Sequence, residues 1–326
     1  MTTILDKILA HEHLSFEEAK HFIYGIEEER YTQETIAGIL VGIQMRGVQL
    51  VELRGLRSAL LELCEPITIE SENAIDLCGT GGDGKNTFNI STTASFVLAG
   101  MGKKVIKHGN YGVSSLCGSS NVLEEIGVQF TTNSGILQDE LDRKNICFLH
   151  APLFHPTMKK VACARRNLGI RTIFNCLGPL VNPAQPKYQL TGTYSLELAK
   201  IYQHILQNER TDFGIAYGMD GYDEITLTND TRLLGKTGDE ILNAGSFSAQ
   251  SLQPSQIHAG KTVKSAAKIM SGILSGKGSK EQNQVTAANV AAGLRLFHPE
   301  TSIEDLYQEA IKFIQSGHAS QIINLN

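Results

Sequence analysis

Two short apolar runs, 74–78 and 104–106, each end in a polar, glycine-rich loop that leads into a helix. This pairing limits the fold more than any other feature of the chain. Ala74-Ile75-Asp76-Leu77-Cys78 has the length of a buried strand. Gly79-Thr80-Gly81-Gly82-Asp83-Gly84 follows, with four glycines in six residues. Glycine reaches positive φ at little cost and lets other groups approach the backbone, so such a turn can aim several N–H groups at one anion. Asn89-Ile90-Ser91-Thr92-Thr93 then opens an apolar helix. Asn, Ser and Thr suit that position, and a helix N-terminus attracts anions. Lys104-Val105-Ile106 forms the second strand and runs into Lys107-His108-Gly109-Asn110, a serine- and glycine-rich loop and a helix from Asn121. In a parallel α/β sheet, ligands bind at the carboxyl ends of the strands. Two such loops side by side predict a ligand with two phosphorylated ends.

The segment 79–85 also fits G-x-x-x-x-G-K, but Asn86 stands where a P-loop needs Ser or Thr for magnesium, and the helix starts later. The P-loop reading is therefore rejected. The charge balance argues in the same direction as the loops. A net charge of −5 offers no basic field for nucleic acid or an anionic membrane, so an anionic substrate must be held by local N–H groups and a few cations. Cys64, Cys78, Cys117, Cys147, Cys163 and Cys176 are scattered without a C-x-x-C pair, which predicts reduced thiols in a cytoplasm. Neither a signal peptide nor an apolar run long enough to span a membrane is expected.

Residues 1–66 read as helical. Ser15-Phe16-Glu17-Glu18 is a capping box ahead of a stripe at Ala19, Phe22, Ile23 and Ile26. Thr32 caps a helix through Ile36, Leu40 and Ile43 that Gly47 stops, and Pro66 closes a last helix from Val51. After Glu125 the α/β rhythm continues. Strands are expected at 128–130, 146–149, 189–194 and 213–217, with a hairpin of 225–228 and 231–234 around Asn229-Asp230. Helices are expected at 134–143, from Pro156 to about 167, and at 195–207, 264–274, 281–297 and 303–315. His155, Met158 and Arg165 have spacings that let one helix face carry all three, whereas Arg166 reads as solvated. From the residues alone, Asp223-Glu224 is equally an exposed acidic turn or a magnesium pair.

Gly79-Thr80-Gly81-Gly82-Asp83, Asn89-Ile90-Ser91-Thr92, Lys107-His108-Gly109-Asn110 and Gly118-Ser119-Ser120-Asn121-Val122-Leu123-Glu124, in this order, resemble the signature set of the anthranilate phosphoribosyltransferase family. The segment from His155 to Lys159, Arg165 and Gly169-Ile170-Arg171-Thr172-Ile173-Phe174-Asn175 extend the resemblance. It implies an α/β fold, with a small all-helical N-terminal domain (1–66, joined by helices from about 156–185) and a larger α/β domain (72–326) whose mostly parallel central sheet is flanked by helices. It further implies a homodimer built through the helical domain. The activity implied is transfer of a phosphoribosyl group from 5-phosphoribosyl diphosphate to the amine of anthranilate, in tryptophan biosynthesis.

Residue roles follow from the same resemblance. The donor is expected on Gly79, Gly82, Asp83, Thr87, Asn89, Ile90, Ser91, Thr92, Lys107, His108, Gly109, Asn110, Ser114, Ser115 and Ser119. Anthranilate is expected on Gly79, His108, Asn110, His155, Met158, Arg165, Gly178 and Pro179. Ser91, Asp223 and Glu224 are expected to hold Mg2+, two ions per subunit. His108, Asn110 and Arg165 are expected to position, with no covalent nucleophile. The chain departs from the family pattern at Tyr111-Gly112, where Arg-Ala is frequent, and at Cys117 and Asn121, in place of Ser and Asp. A pyrimidine nucleoside phosphorylase shares the glycine loop, but the His155/Arg165 set and the acid pair argue against it. A silent relative that binds nucleic acid would need a basic groove.

Overall fold

The computed structural model describes residues 3–112 and 117–325. Four helices come first: α1 (Ile4–Leu9), α2 (Phe16–Glu27), α3 (Gln33–Arg46) and α4 (Leu50–Glu62). Ser15 and Glu18 form the expected capping box, Thr32 caps α3, and Gly47 ends it at φ 83°. The stripes of α2 and α3 bury Phe22, Ile23, Ile39 and Leu40. That core continues without a break into Phe174, Leu177 and Val181 and into Tyr202.

The remainder alternates strand and helix: β1 (Ala74–Gly79), α5 (Ile90–Gly100), β2 (Lys104–Gly109), α6 (Ser119–Glu125), α7 (Ser134–Lys144), β3 (Ile146–His150), then short helices α8 (Ala151–Phe154), α9 (Pro156–Lys160) and α10 (Ala162–Leu168). β4 (Tyr188–Gly192), α11 (Leu196–Leu206), β5 (Asp212–Gly218), β6 (Thr231–Gly235) and β7 (Asp239–Leu242) complete the sheet. α12 (Val263–Leu274), α13 (Lys280–Phe297) and α14 (Ile303–Ser316) follow.

Among the described residues the sheet has seven strands in the order β3-β2-β1-β4-β5-β6-β7. β1 to β5 pair in parallel, and β6 and β7 are antiparallel. The connection order reverses between β1 and β4, which opens a crevice at their carboxyl ends. Strand alternation assigns the side chains of β1 and β2 to two layers. Ile75, Leu77 and Val105 join the core under α5 and α13, whereas Ala74 and Ile106 join α7 on the other face.

Three expected elements differ. Residues 128–130 form no strand: Phe130 stacks on the His150 ring at 4.4 Å instead of pairing its backbone. The hairpin is β6–β7, not 225–234. Residues 225–228 are irregular because Asn289 of α13 bonds both the N–H and the carbonyl of Ile225, at 3.3 and 2.7 Å. The helix from Pro156 breaks at Val161 into α9 and α10.

Candidate active site

A cavity of about 250 Å³ opens at the carboxyl ends of β1 and β2. The glycine loop after β1 forms one wall, with Gly81, Gly82 and Gly84 at φ 64°, 73° and 73°. Only glycine takes such turns without strain. Gly79 and Gly192 serve close packing. A Cβ on Gly79 would stand 2.5 Å from Asp223 Oδ2, and one on Gly192 1.3 Å from the Asp223 carbonyl oxygen. The two strands thus leave room for the Asp223 segment that returns from β5.

The acid pair sits in that gap. Gly81 N–H donates to Asp223 Oδ2 at 2.6 Å, and Ser91 N–H, in the first turn of α5, donates to Glu224 Oε1 at 3.3 Å. Burial, then Asp83 beside it, pushes Asp223 up to about 7. Burial, then Asp223, pushes Glu224 up to about 8. Glu224 Oε2 is buried without a hydrogen-bond partner. Two crowded carboxylates with an orphaned oxygen fit a bound cation, which would relieve both burial and repulsion. Among the described residues no group of three or more His, Cys, Asp or Glu is arranged to hold an ion unaided. That fits a cation that takes its other oxygen ligands from water and substrate phosphates.

Alternation along β2 separates two functions. Lys107 points with Val105 toward α5, where its ammonium bonds the Leu77 carbonyl and lies 3.5 Å from Ser91 Oγ. His108 points the other way, and its Nδ1 donates to the Gly178 carbonyl at 3.1 Å. Burial, then His155, lowers His108 to about 3, so the ring is neutral with Nε2 unprotonated. Asn110 is fixed through its backbone carbonyl, which accepts from Ser120 N–H at 3.1 Å and Ser119 Oγ at 3.3 Å. At the far end stand Met158, Gly178, Pro179 and Arg165, whose guanidinium lies 3.5 Å from Asn175 Oδ1 and faces no carboxylate among the described residues.

Of the expected residues, Gly79, Gly82, Asp83, Thr87, Asn89, Ser91, Thr92, Lys107, His108, Gly109, Asn110, Ser119, Met158, Arg165, Gly178, Pro179, Asp223 and Glu224 line this one cavity. Two do not. Ile90 is buried in the core behind α5, so it turns only backbone toward the loop. His155 is 1% exposed, donates from Nε2 to the Val181 carbonyl at 2.7 Å, and supports His108 edge-on from behind, 5.3 Å between centroids. His155 precedes α9 as its N-cap with non-helical φ and ψ of −121° and 77°, so it does not share a helix face with Met158. Ser114 and Ser115 lie outside the described residues.

The departing residues have local partners. Tyr111 donates its hydroxyl to Glu124 at 2.6 Å and meets His150 edge-on at 4.7 Å. Helix α6 begins at Ser119, before Asn121. The Asn121 side chain accepts from Gly112 and Gly118 N–H, both at 3.0 Å, rather than capping from outside. Unforeseen wall residues include Phe174, Asn175 and Ala259. Ala259 belongs to a distant strap that bonds the Asn86 carbonyl at 2.9 Å and the Phe88 N–H at 3.2 Å through Ile257. No local pattern announces a contact across that sequence separation.

A helical bundle joined to a mainly parallel sheet, with a glycine-rich loop, a basic loop and an acid pair at the strand ends, has the architecture of a glycosyl-transferring class. Residues 71–320 match the family described as "Glycosyl transferase family, a/b domain", and residues 2–64 match "Glycosyl transferase family, helical bundle domain". The chain is 47% identical over 319 residues to the anthranilate phosphoribosyltransferase of Christiangramia forsetii, covering 98% of this chain and 96% of that one. It is 48% identical over 294 residues to that of Flavobacterium johnsoniae, covering 90% and 89%. Its structure resembles the anthranilate phosphoribosyltransferase of Thermus thermophilus, with a TM-score of 0.90 at 28% identity over 99% of this chain and 97% of that one. The Saccharomyces cerevisiae enzyme in complex with PRPP and Mg gives 0.89 at 26% identity, over 98% and 95%. The chain belongs to the anthranilate phosphoribosyltransferase family.

Proposed function

We propose that this protein transfers the phosphoribosyl group of 5-phosphoribosyl diphosphate to the amine of anthranilate, giving N-(5-phosphoribosyl)anthranilate and pyrophosphate, in tryptophan biosynthesis. The observation that carries this is the convergence of the β1 glycine loop, the β2 basic loop and the acid pair on one cavity with an unpaired arginine at its far end. The names of the relatives agree with it.

The glycine-loop N–H groups, Asn89, Thr92 and the N-terminus of α5 hold the diphosphate. Lys107 and Ser119 lie along the phosphate and ribose oxygens. Ser91, Asp223 and Glu224 hold Mg2+, two ions per subunit, which neutralises the departing pyrophosphate. Arg165 pairs with the anthranilate carboxylate, a match for its planar fork. His108 and Asn110 orient the ring and amine toward C1 of the ribose. The C1–oxygen bond to pyrophosphate breaks through an oxocarbenium-like sugar as the amine lone pair arrives, and the amine's surplus proton passes to the departing pyrophosphate or to water. An aryl amine is neutral at pH 7, so His108 serves by position and as a neutral acceptor. Rate acceleration comes from orientation, charge stabilisation and exclusion of water.

The same reading includes a cytoplasmic homodimer. Leu9, Met45 and Val51 of the helical bundle, 70%, 77% and 43% exposed, are apolar side chains that a second copy would cover. No helix of the described residues is long and apolar enough to cross a membrane. The test is loss of anthranilate fluorescence on mixing protein, donor and magnesium. Loss that needs all three supports the transferase, and none with a bound donor points to another acceptor.

A further inference from the structure

The cavity assigned to a polyanionic donor carries three acids, Asp83, Asp223 and Glu224, against three cations, Lys85, Lys107 and Arg165. Lys107 is 2% exposed and tied to the Leu77 carbonyl, and Arg165 stands at the acceptor end. That leaves Lys85 beside the glycine loop, and in a chain of net charge −5 a second positive charge there favours donor entry.

Two cations flank the glycine loop, Lys85 in the cavity wall and Arg171 beside Gly84, each perched on a tyrosine. The Lys85 ammonium lies 4.8 Å from the Tyr222 ring centroid, and the Arg171 guanidinium lies 4.6 Å from that of Tyr194. Neither has a salt-bridge partner among the described residues. Arg171 projects from the segment that carries Phe174 and Asn175 of the acceptor wall. Its Nη2 reaches within 3.9 Å of the point where a Cβ on Gly84 would stand. Lys85 N–H donates to Asp83 Oδ1 at 3.0 Å, and both cations act on that carboxylate. A free cation held by an aromatic ring keeps its charge available while its position is fixed.

We propose that Arg171 and Lys85 form a cationic collar over the glycine loop that draws in and retains the diphosphate end of the donor. Arg171 closes the loop from the acceptor side. The proposal rests on the donor-site reading given above. Exposed charges act at range and are screened by salt, so the collar is a low-salt device.

The test is calorimetric titration of 5-phosphoribosyl diphosphate with magnesium into the wild-type protein, Arg171→Ala, Lys85→Ala, the double variant and Arg171→Lys, at low salt and at about 0.5 M salt. Each alanine variant is expected to weaken binding by roughly three- to tenfold at low salt, and the deficit shrinks at high salt. Arg171→Lys recovers most of the loss, melting temperatures hold, and the Michaelis constant for anthranilate does not follow the donor's. Wild-type affinity in the variants, or a deficit of equal size at high salt, overturns the collar alone. A wild-type protein that does not bind the donor overturns the site reading and the collar with it.

Discussion

Asp223 and Glu224 carry an electrostatic cost, because both are buried, adjacent and raised above the ordinary carboxylate range. Asp223→Asn with Glu224→Gln removes that repulsion and the proposed cation ligands together. Turnover is expected to fall below detection while the circular dichroism spectrum and melting temperature hold. Full activity would remove the metal assignment. Arg165 offers a second contrast. Arg165→Ala should raise the Michaelis constant for anthranilate at least tenfold, roughly 1.4 kcal/mol, and the donor's far less. Equal increases in steady-state kinetics would make Arg165 structural. The residues alone left Asp223-Glu224 open between an acidic turn and a cation pair, and the family resemblance singled out the pair and Arg165; the fold brings all three to one cavity. The sequence placed His155 on the wall, because helical spacing counted it into a helix that begins only at Pro156, and no local pattern announces its bond to the distant Val181 carbonyl.

At the scale of elements, the return of the segment after β5, which brings Asp223 against Gly79 and Gly192 at the ends of β1 and β4, sets the geometry. Gly192→Ala would drive a Cβ into the Asp223 carbonyl, where the contact is backbone and cannot swing aside. Destabilisation of about 1–3 kcal/mol is expected, with loss of activity beyond what that stability change explains, measured by denaturant unfolding beside the assay. Asn289→Ala removes two bonds to Ile225, and should cost about 1–3 kcal/mol and weaken magnesium binding. The strand–loop–helix units of β1 and β2 were legible because apolar runs, glycine and capping residues agree there. Residues 225–228 read as a strand for their threonines and isoleucine. A buried asparagine from α13 overrides that local preference, and only the folded packing reveals it.

For the whole molecule, the raised acids couple stability to pH. Unfolded carboxyl groups titrate near 4, and the folded pair near 7 and 8. Between those values the folded protein holds more protons than the unfolded chain, so the metal-free protein loses stability as pH rises through that window. Under the proposed assignment, magnesium bound by the pair competes with those protons. The gain in melting temperature on adding it should therefore grow from pH 6 to pH 8, and vanish in the Asp223→Asn, Glu224→Gln variant. A gain independent of pH would place the ion elsewhere. The central claim is that one cavity joins a diphosphate donor to an aromatic amine. Measuring pyrophosphate release and anthranilate consumption in the same reaction tests it most directly. Equal amounts, each requiring both substrates, are predicted. Pyrophosphate released without anthranilate consumed would contradict the account.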